Sequence, residues 1–274
     1  MGNRSRNNRL DTIEYIGPRP QKPQAKRPNF IGGWVVLLIA SGAVFMFSKS
    51  FLAPIMGQDT PTTERASELI KELSPSARPG DRLAGFALQQ TQFDGIQYED
   101  AYYDIGFPNG DIPSTKGKAE DLVVRSYRAI GVDLQQRVHE DMKGHFSEYP
   151  QIFGRRSADS NIDHRLTENL RRFFRRSGAE LLVTNGAGEE VPSRNAEDYI
   201  PGDIVTWRLP SGGSHIGIIV PGPGEYREQA WVVHHMRGGN GPAWENCLLD
   251  FNITGHYRYD GSKGIDLSAH FPLD

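Results

Sequence analysis

The chain has 274 residues, 37% of them hydrophobic and 10% aromatic, so it can bury a core and is not disordered as a whole. Its formal charge of -3 conceals an asymmetry: Arg4, Arg6, Arg9, Arg19, Lys22, Lys26 and Arg27 face only Asp11 and Glu14 in residues 1–29, a local +5 that leaves -8 for the remainder. A net-acidic remainder argues against nucleic acid as a partner, and the single cysteine, Cys247, excludes an intrachain disulfide and a zinc–thiolate cage.

In chain order, residues 1–29 contain PRPQKPQ and read as a disordered, basic cytoplasmic tail. Phe30–Ser48 follows with nineteen residues and no charge. A membrane helix needs roughly 20 apolar residues, whereas the apolar part of a cleaved signal peptide runs to only about 7–15. Residues 30–52 are therefore predicted to be a single-pass transmembrane anchor. The basic flank places the N-terminus in the cytoplasm and the C-terminal domain outside. Residues 53–84 read as a linker with one short helix around Glu64–Leu73, ended by SPSARPG.

A domain is predicted over 85–260, followed by a tail at 261–274. Glu120–Ile130 reads as a helix with Val123, Tyr127 and Ile130 on one stripe, stopped by Gly131. Asp163–Ser177 reads as another, with Leu166, Leu170, Phe173 and Phe174 apolar; its four arginines form a solvated basic face rather than an anion site. Short β-branched strands are expected at Asp203–Arg208, His215–Val220, Ala230–His235 and Thr254–Tyr259, between PSGG and PGPGEY turns. Helices followed by a run of antiparallel strands is an α+β pattern.

In a strand, alternate side chains share a face, so His215, Gly217 and Ile219 oppose Ile216, Ile218 and Val220. The β-branched set suits the core, which leaves His215 on the other face. His234 and His235 point opposite ways, so only one of them can join His215. Two imidazoles on neighbouring strands supply the base and orienter of a nucleophile–base–orienter triad.

These residues resemble a known group. GDIV, HIGIIV and VHH are similar to the central strands of NlpC-type papain-like peptidases and amidases. A closer resemblance covers roughly residues 84–260: TQFDGIQYEDAYYDIGFPNGDIPSTKG, DLVVRSYRAIGVDLQQRVHEDM, YPQIFG, NIDHR and ITGHYRY follow the order of the YijF-like bacterial family, a domain of unknown function. The resemblance implies a papain-like fold with N-terminal helices packed on an antiparallel sheet, an envelope location and hydrolysis of amides in peptidoglycan peptides. It also implies that His215 matches the catalytic histidine and His234 the residue that orients it. The nucleophile of such folds is a cysteine at a helix N-terminus, where the thiolate is favoured. The family reads approximately Gly-Val-Cys-Thr-Asp there; this chain reads Gly117-Lys118-Ala119-Glu120-Asp121. Ala119 stands at the nucleophile position, and both its neighbours depart as well.

Ser114 and Thr115 lie upstream of the helix start, and CLLDFNITG after Cys247 reads as strand and turn, so neither offers an activated replacement. His139-Glu140-Asp141, Asp163-His164 and the strand histidines are metal-ligand types, but they lack a tight signature. No cofactor or metal is expected. Asp121, His139, Asp141, His164 and Arg165 remain cleft candidates, with Asp163 and His164 holding the loop before the Arg-rich helix and Asp141 pairing with Arg165 across the cleft. The expectation is a periplasmic pseudo-amidase in a bacterial inner membrane, binding an envelope protein, a membrane-complex partner or a peptidoglycan peptide. The alternative is an active amidase or endopeptidase, through another nucleophile or with Ala119 as an engineered replacement.

Overall fold

The computed structural model describes residues 61–151, 154–224 and 229–261, all within one unit, Pro54–Asp274. The basic tail, the anchor and nearly all of the C-terminal tail lie outside the described residues. Among those described, no helix is long and apolar enough to cross a membrane.

Helix α1, Thr63–Leu73, begins where the Thr62 side chain accepts from the Arg65 N–H, satisfying one of the amides left over at a helix start. It buries Ala66, Leu69 and Leu73 along one face. Helix α2, Pro79–Gln90, was not foreseen: SPSARPG reads as a stop, yet Pro79 sits at the first helical position, where its missing N–H costs nothing. Its Leu83, Ala84, Ala87 and Leu88 join the same core. Residues 61–84 are thus not a linker. Each of the buried leucines Leu69, Leu73, Leu83 and Leu88 contributes about 1.5–3 kcal/mol of burial, which a free tether would forgo. The start of α2 also touches the strand layer through backbone: a Cβ on Gly202 (φ 93°) would meet the Gly80 Cα at 2.3 Å.

Helix α3, Ala119–Ala129, opens one residue ahead of the expected start. Helix α4, Leu134–His145, is capped by the Asp133 carboxylate on the Gln135 N–H and was not anticipated. The helix expected over Asp163–Ser177 is divided. Asp163–Arg165 forms a 3₁₀ turn, Leu166 is extended, and helix α5 runs Thr167–Arg176. The arginines of α5 are paired rather than merely solvated: Arg172 and Arg176 reach Glu148, Arg175 reaches Glu180, and Arg171 donates to the Thr254 carbonyl.

Two-residue strands β1 (Gln97–Tyr98) and β2 (Lys116–Gly117) pair in parallel just before α3, and β3 (Val183–Thr184) pairs with β4 (Glu190–Val191). The main sheet comprises β5 (Ile204–Arg208), β6 (Ser214–Pro221), β7 (Ala230–His234), β8 (Ala243–Glu245) and β9 (Asn252–Tyr257). Its order is β8-β7-β6-β5-β9, antiparallel throughout. Ile216, Ile218, Val220 and Val233 pack against the helices, as the alternation requires. The opposite face is covered too: Val205, Trp207, Ile219, Val232 and Ile253 form a second cluster with Tyr199, Cys247 and Leu248. The fold is a mixed one, helices on an antiparallel sheet.

Candidate functional site

The start of α3 and the ends of β6 and β7 enclose a cleft of about 390 Å³, lined among others by Tyr98, Ala119, Glu120, His215, His235 and Arg237. Strand register sets the imidazoles. His215 lies opposite Trp207 and stacks on its indole at 5.8 Å between centroids. Gly217, two residues on, leaves the space that β7 and the indole occupy: a Cβ there would fall 2.5 Å from Val232 Cγ1 and 3.2 Å from the Trp207 ring.

His215 Nε2 lies 2.9 Å from His234 Nδ1, and His234 Nε2 lies 3.1 Å from Glu245 Oε2. An ionised carboxylate only accepts, so the chain of hydrogen bonds assigns its own protons. His234 donates through Nε2 to Glu245. Its Nδ1 then accepts from His215 Nε2–H, and His215 Nδ1 is left bare. Burial, with the two neighbouring histidines, pushes the His215 imidazolium down to about 3, so the ring is neutral near pH 7 and its bare nitrogen can accept a hydrogen bond. Glu245, the third member, was not foreseen. It sits on the strand after the MRGGNGP turn, opposite Val232, and so shares a face with His234.

The α3 start is held from below. Asp121 accepts from the Lys118 N–H at 2.9 Å and takes a two-pronged bond from Arg165, Nε to Oδ1 at 2.7 Å and Nη2 to Oδ2 at 3.1 Å. Arg165 also donates to the carbonyls of Ala101 and Glu99. Glu120 accepts from the Thr167 N–H and hydroxyl, and the Lys118 ammonium stands 3.7 Å away. Asp121 and Arg165 therefore brace the cleft rather than line it.

The pairing expected between Asp141 and Arg165 does not form. Asp141 is taken by Arg176 and Tyr149, because α4 faces α5, and Arg165 is taken by Asp121. His139 lies 3.4 Å from Asp163, which also binds Arg155 and the Asp159 N–H. His164 is buried with Nδ1 unpartnered among the described residues, and burial beside Arg165 lowers its imidazolium to about 3. His139, Asp141 and His164 do not line the cleft. His235 does, which sequence reasoning missed. It is 1% exposed, meets Tyr98 edge-on, and its Nε2 has no hydrogen-bond partner among the described residues.

Cys247 packs on the face of the sheet turned away from the helices, the face His215 and His234 share, with its Sγ 3.5 Å from His234 Nε2, but it does not line the cleft. It does not begin a helix, and burial pushes its thiol up to about 12, so it is no thiolate at neutral pH.

His164 and His215 carry a pH dependence. Both are held below the unfolded value near 6.5, so on acidification the unfolded chain takes up protons that the folded one refuses. Their contribution is complete above about pH 6.5 and is lost as pH falls towards 3. Urea unfolding should show a loss of about 2–4 kcal/mol between pH 7 and pH 5. His215→Gln and His164→Gln should each flatten that slope, and an unchanged slope in both would contradict the assignment.

A mixed helix–sheet domain with a carboxylate–histidine–histidine relay whose two imidazoles are buried near a helix start is the class these observations define. Residues 86–259 match the domain of unknown function DUF1287, and the chain belongs to that family. It is 40% identical over 162 residues to the Escherichia coli (strain K12) protein named "Uncharacterized protein YijF", covering 59% of this chain and 73% of that one. Among solved structures, NlpC1 from Trichomonas vaginalis is similar with a TM-score of 0.35 and 15% identity, over 67% of this chain and 45% of that one.

Proposed function

We propose that the chain is an envelope protein, anchored through residues 30–52 in a bacterial inner membrane with its domain in the periplasm, whose papain-like cleft binds a ligand without covalent catalysis. The observation that carries this reading is Ala119. It is the first residue of α3 and lines the same cleft as His215, so the position best placed for a nucleophile holds a methyl group. Cys247 offers no substitute, being a buried, protonated thiol outside the cleft. The ligand is an extended peptide of the kind found in peptidoglycan, or a membrane-complex partner presenting one. Basic flanking charge and the uncharged nineteen-residue stretch support the anchor.

A second reading has one observation in its favour. The relay from Glu245 through His234 leaves His215 Nδ1 as an acceptor, which is what activation of a water molecule by a general base requires. The two readings part on one experiment. The unaltered protein, incubated with purified peptidoglycan peptides, is expected to bind them saturably and release no product, and Ala119→Trp, which fills the cleft, is expected to abolish binding. Product that vanishes on His215→Ala would overturn the binding reading in favour of hydrolysis.

A further inference from the structure

Behind the cleft, on the far face of the sheet, three side chains of different donor type converge. His234 Nε2 lies 3.1 Å from Glu245 Oε2 and 3.5 Å from Cys247 Sγ, and ligand atoms of all three fall within 4.8 Å of one another. Both distances are within hydrogen-bond reach, but two acceptor-rich groups, a carboxylate and a sulfur, converging on one imidazole nitrogen is also the arrangement of a metal's ligand set. Around zinc, with bonds of about 2.0–2.1 Å to nitrogen, 2.0–2.2 Å to oxygen and 2.3 Å to sulfur, tetrahedral edges come to about 3.4 Å for N···O and about 3.6 Å for N···S. The observed spacings are within a few tenths of an ångström of those edges. From the cluster we infer a binding site for one divalent zinc ion, held by His234 Nε2, a Glu245 carboxylate oxygen and Cys247 Sγ.

The elements bring the ligands together in a simple way. His234 ends β7 and Glu245 ends β8, the two strands pair, and the turn after β8 returns Cys247 beneath them. His234 and Cys247 are buried, whereas the Glu245 side chain is 56% exposed, so an ion has a path in from solvent and a fourth position open to water. Three protein ligands and a water is the pattern of an open rather than a closed zinc site. The other nitrogen of His234 already has its partner in His215, as the second nitrogen of a metal-bound histidine requires.

Binding balances as follows. The thiol gives up its proton to solvent as the Cys247–metal bond forms, one proton per ion. The metal takes the Nε2 lone pair, so the His234 proton resides on Nδ1 and is donated to His215 Nε2. The His215 proton in turn resides on Nδ1, at the cleft. The imidazole pair keeps its two protons, but the relay reverses: with metal bound, the cleft histidine donates where it otherwise accepts.

The inference holds whether the cleft binds or hydrolyses its ligand, and the test keeps the two apart by reading the metal alone. The whole chain is titrated with cobalt(II) as the spectroscopic surrogate for zinc. One equivalent is expected to bind, with a near-ultraviolet sulfur-to-cobalt charge-transfer band and release of about one proton. Cys247→Ala should remove the band, and zinc should displace cobalt. Because a buried substitution can unfold the protein, Glu245→Gln at the exposed ligand is the second arm, expected to weaken cobalt binding by at least ~10-fold with the far-ultraviolet spectrum unchanged. No charge-transfer band at saturating cobalt, or binding that is unaltered in both Cys247→Ala and Glu245→Gln, would overturn the site.

Discussion

Replacing Arg165 by methionine is expected to lower the unfolding free energy by about 3–5 kcal/mol, the range for stripping one partner from a buried ion pair. The guanidinium is 0% exposed and meets four acceptors: both oxygens of Asp121 and the carbonyls of Ala101 and Glu99. Without it the Asp121 carboxylate is left as a lone buried charge, and two carbonyls lose their donor. Asp121 is also the acceptor for the Lys118 N–H at the start of α3, so the damage spreads to the helix start that carries Ala119. Urea unfolding of Arg165→Met beside Arg165→Met with Asp121→Asn gives the decisive comparison. The double variant should recover part of the loss, because it removes the stranded charge while keeping an acceptor for the helix. A single variant that costs less than about 1 kcal/mol would mean that the pair is not what holds the α3 start in place.

Ala119→Cys in a Cys247→Ala background is expected to create a thiol alkylated by iodoacetamide at pH 7 at least ~1000-fold faster than native Cys247. The argument is a comparison of thiolate fractions. Cys247 is pushed up to about 12 by burial, leaving almost no thiolate at neutral pH. A thiol at the first residue of α3 sits at the positive end of the helix dipole, where values of about 3.5–7.5 occur, in the same cleft as His215, whose neutral ring can accept a hydrogen bond from it. Glu120 opposes this, but its carboxylate is engaged by Thr167 and stands near the Lys118 ammonium. His215→Ala in the same background should slow alkylation about 10-fold or more. Alkylation as slow as that of Cys247 would show that the cleft does not retain the environment of a nucleophile.

Strands β5, β6, β7 and β9 were legible to within two residues because alternation and Pro/Gly turns are local signals, and α3 was legible because its apolar stripe and Gly131 are adjacent in sequence. Helix α2 was not, since a proline before a glycine marks a turn and a first helical residue equally well. Helix α4 was hidden by its few apolar positions; Leu134, Val138 and Met142 supply the face that it buries. The site was half legible. His215 and His234 follow from the two-residue period, but Glu245 needed the hairpin register, which a GGNGP turn suggests without fixing. Asp121 with Arg165, 44 residues apart, depends on a tertiary contact that no local pattern encodes.

The packing of α1 sets a leash. On the anchor reading proposed above, the stretch between anchor and domain does not run to residue 84 but ends at Thr62, whose side chain caps α1. With the anchor at 30–52, that leaves residues 53–62, and a fully extended chain of ten residues spans no more than about 35 Å. Against a floating domain on the longer tether read from sequence, the reach is cut by more than half, and the effective concentration of the cleft near the bilayer rises accordingly. Partners sampled by such a domain are those that present themselves close to the membrane surface, and lengthening the 53–62 segment with Gly/Ser would be the direct way to change which ones it meets.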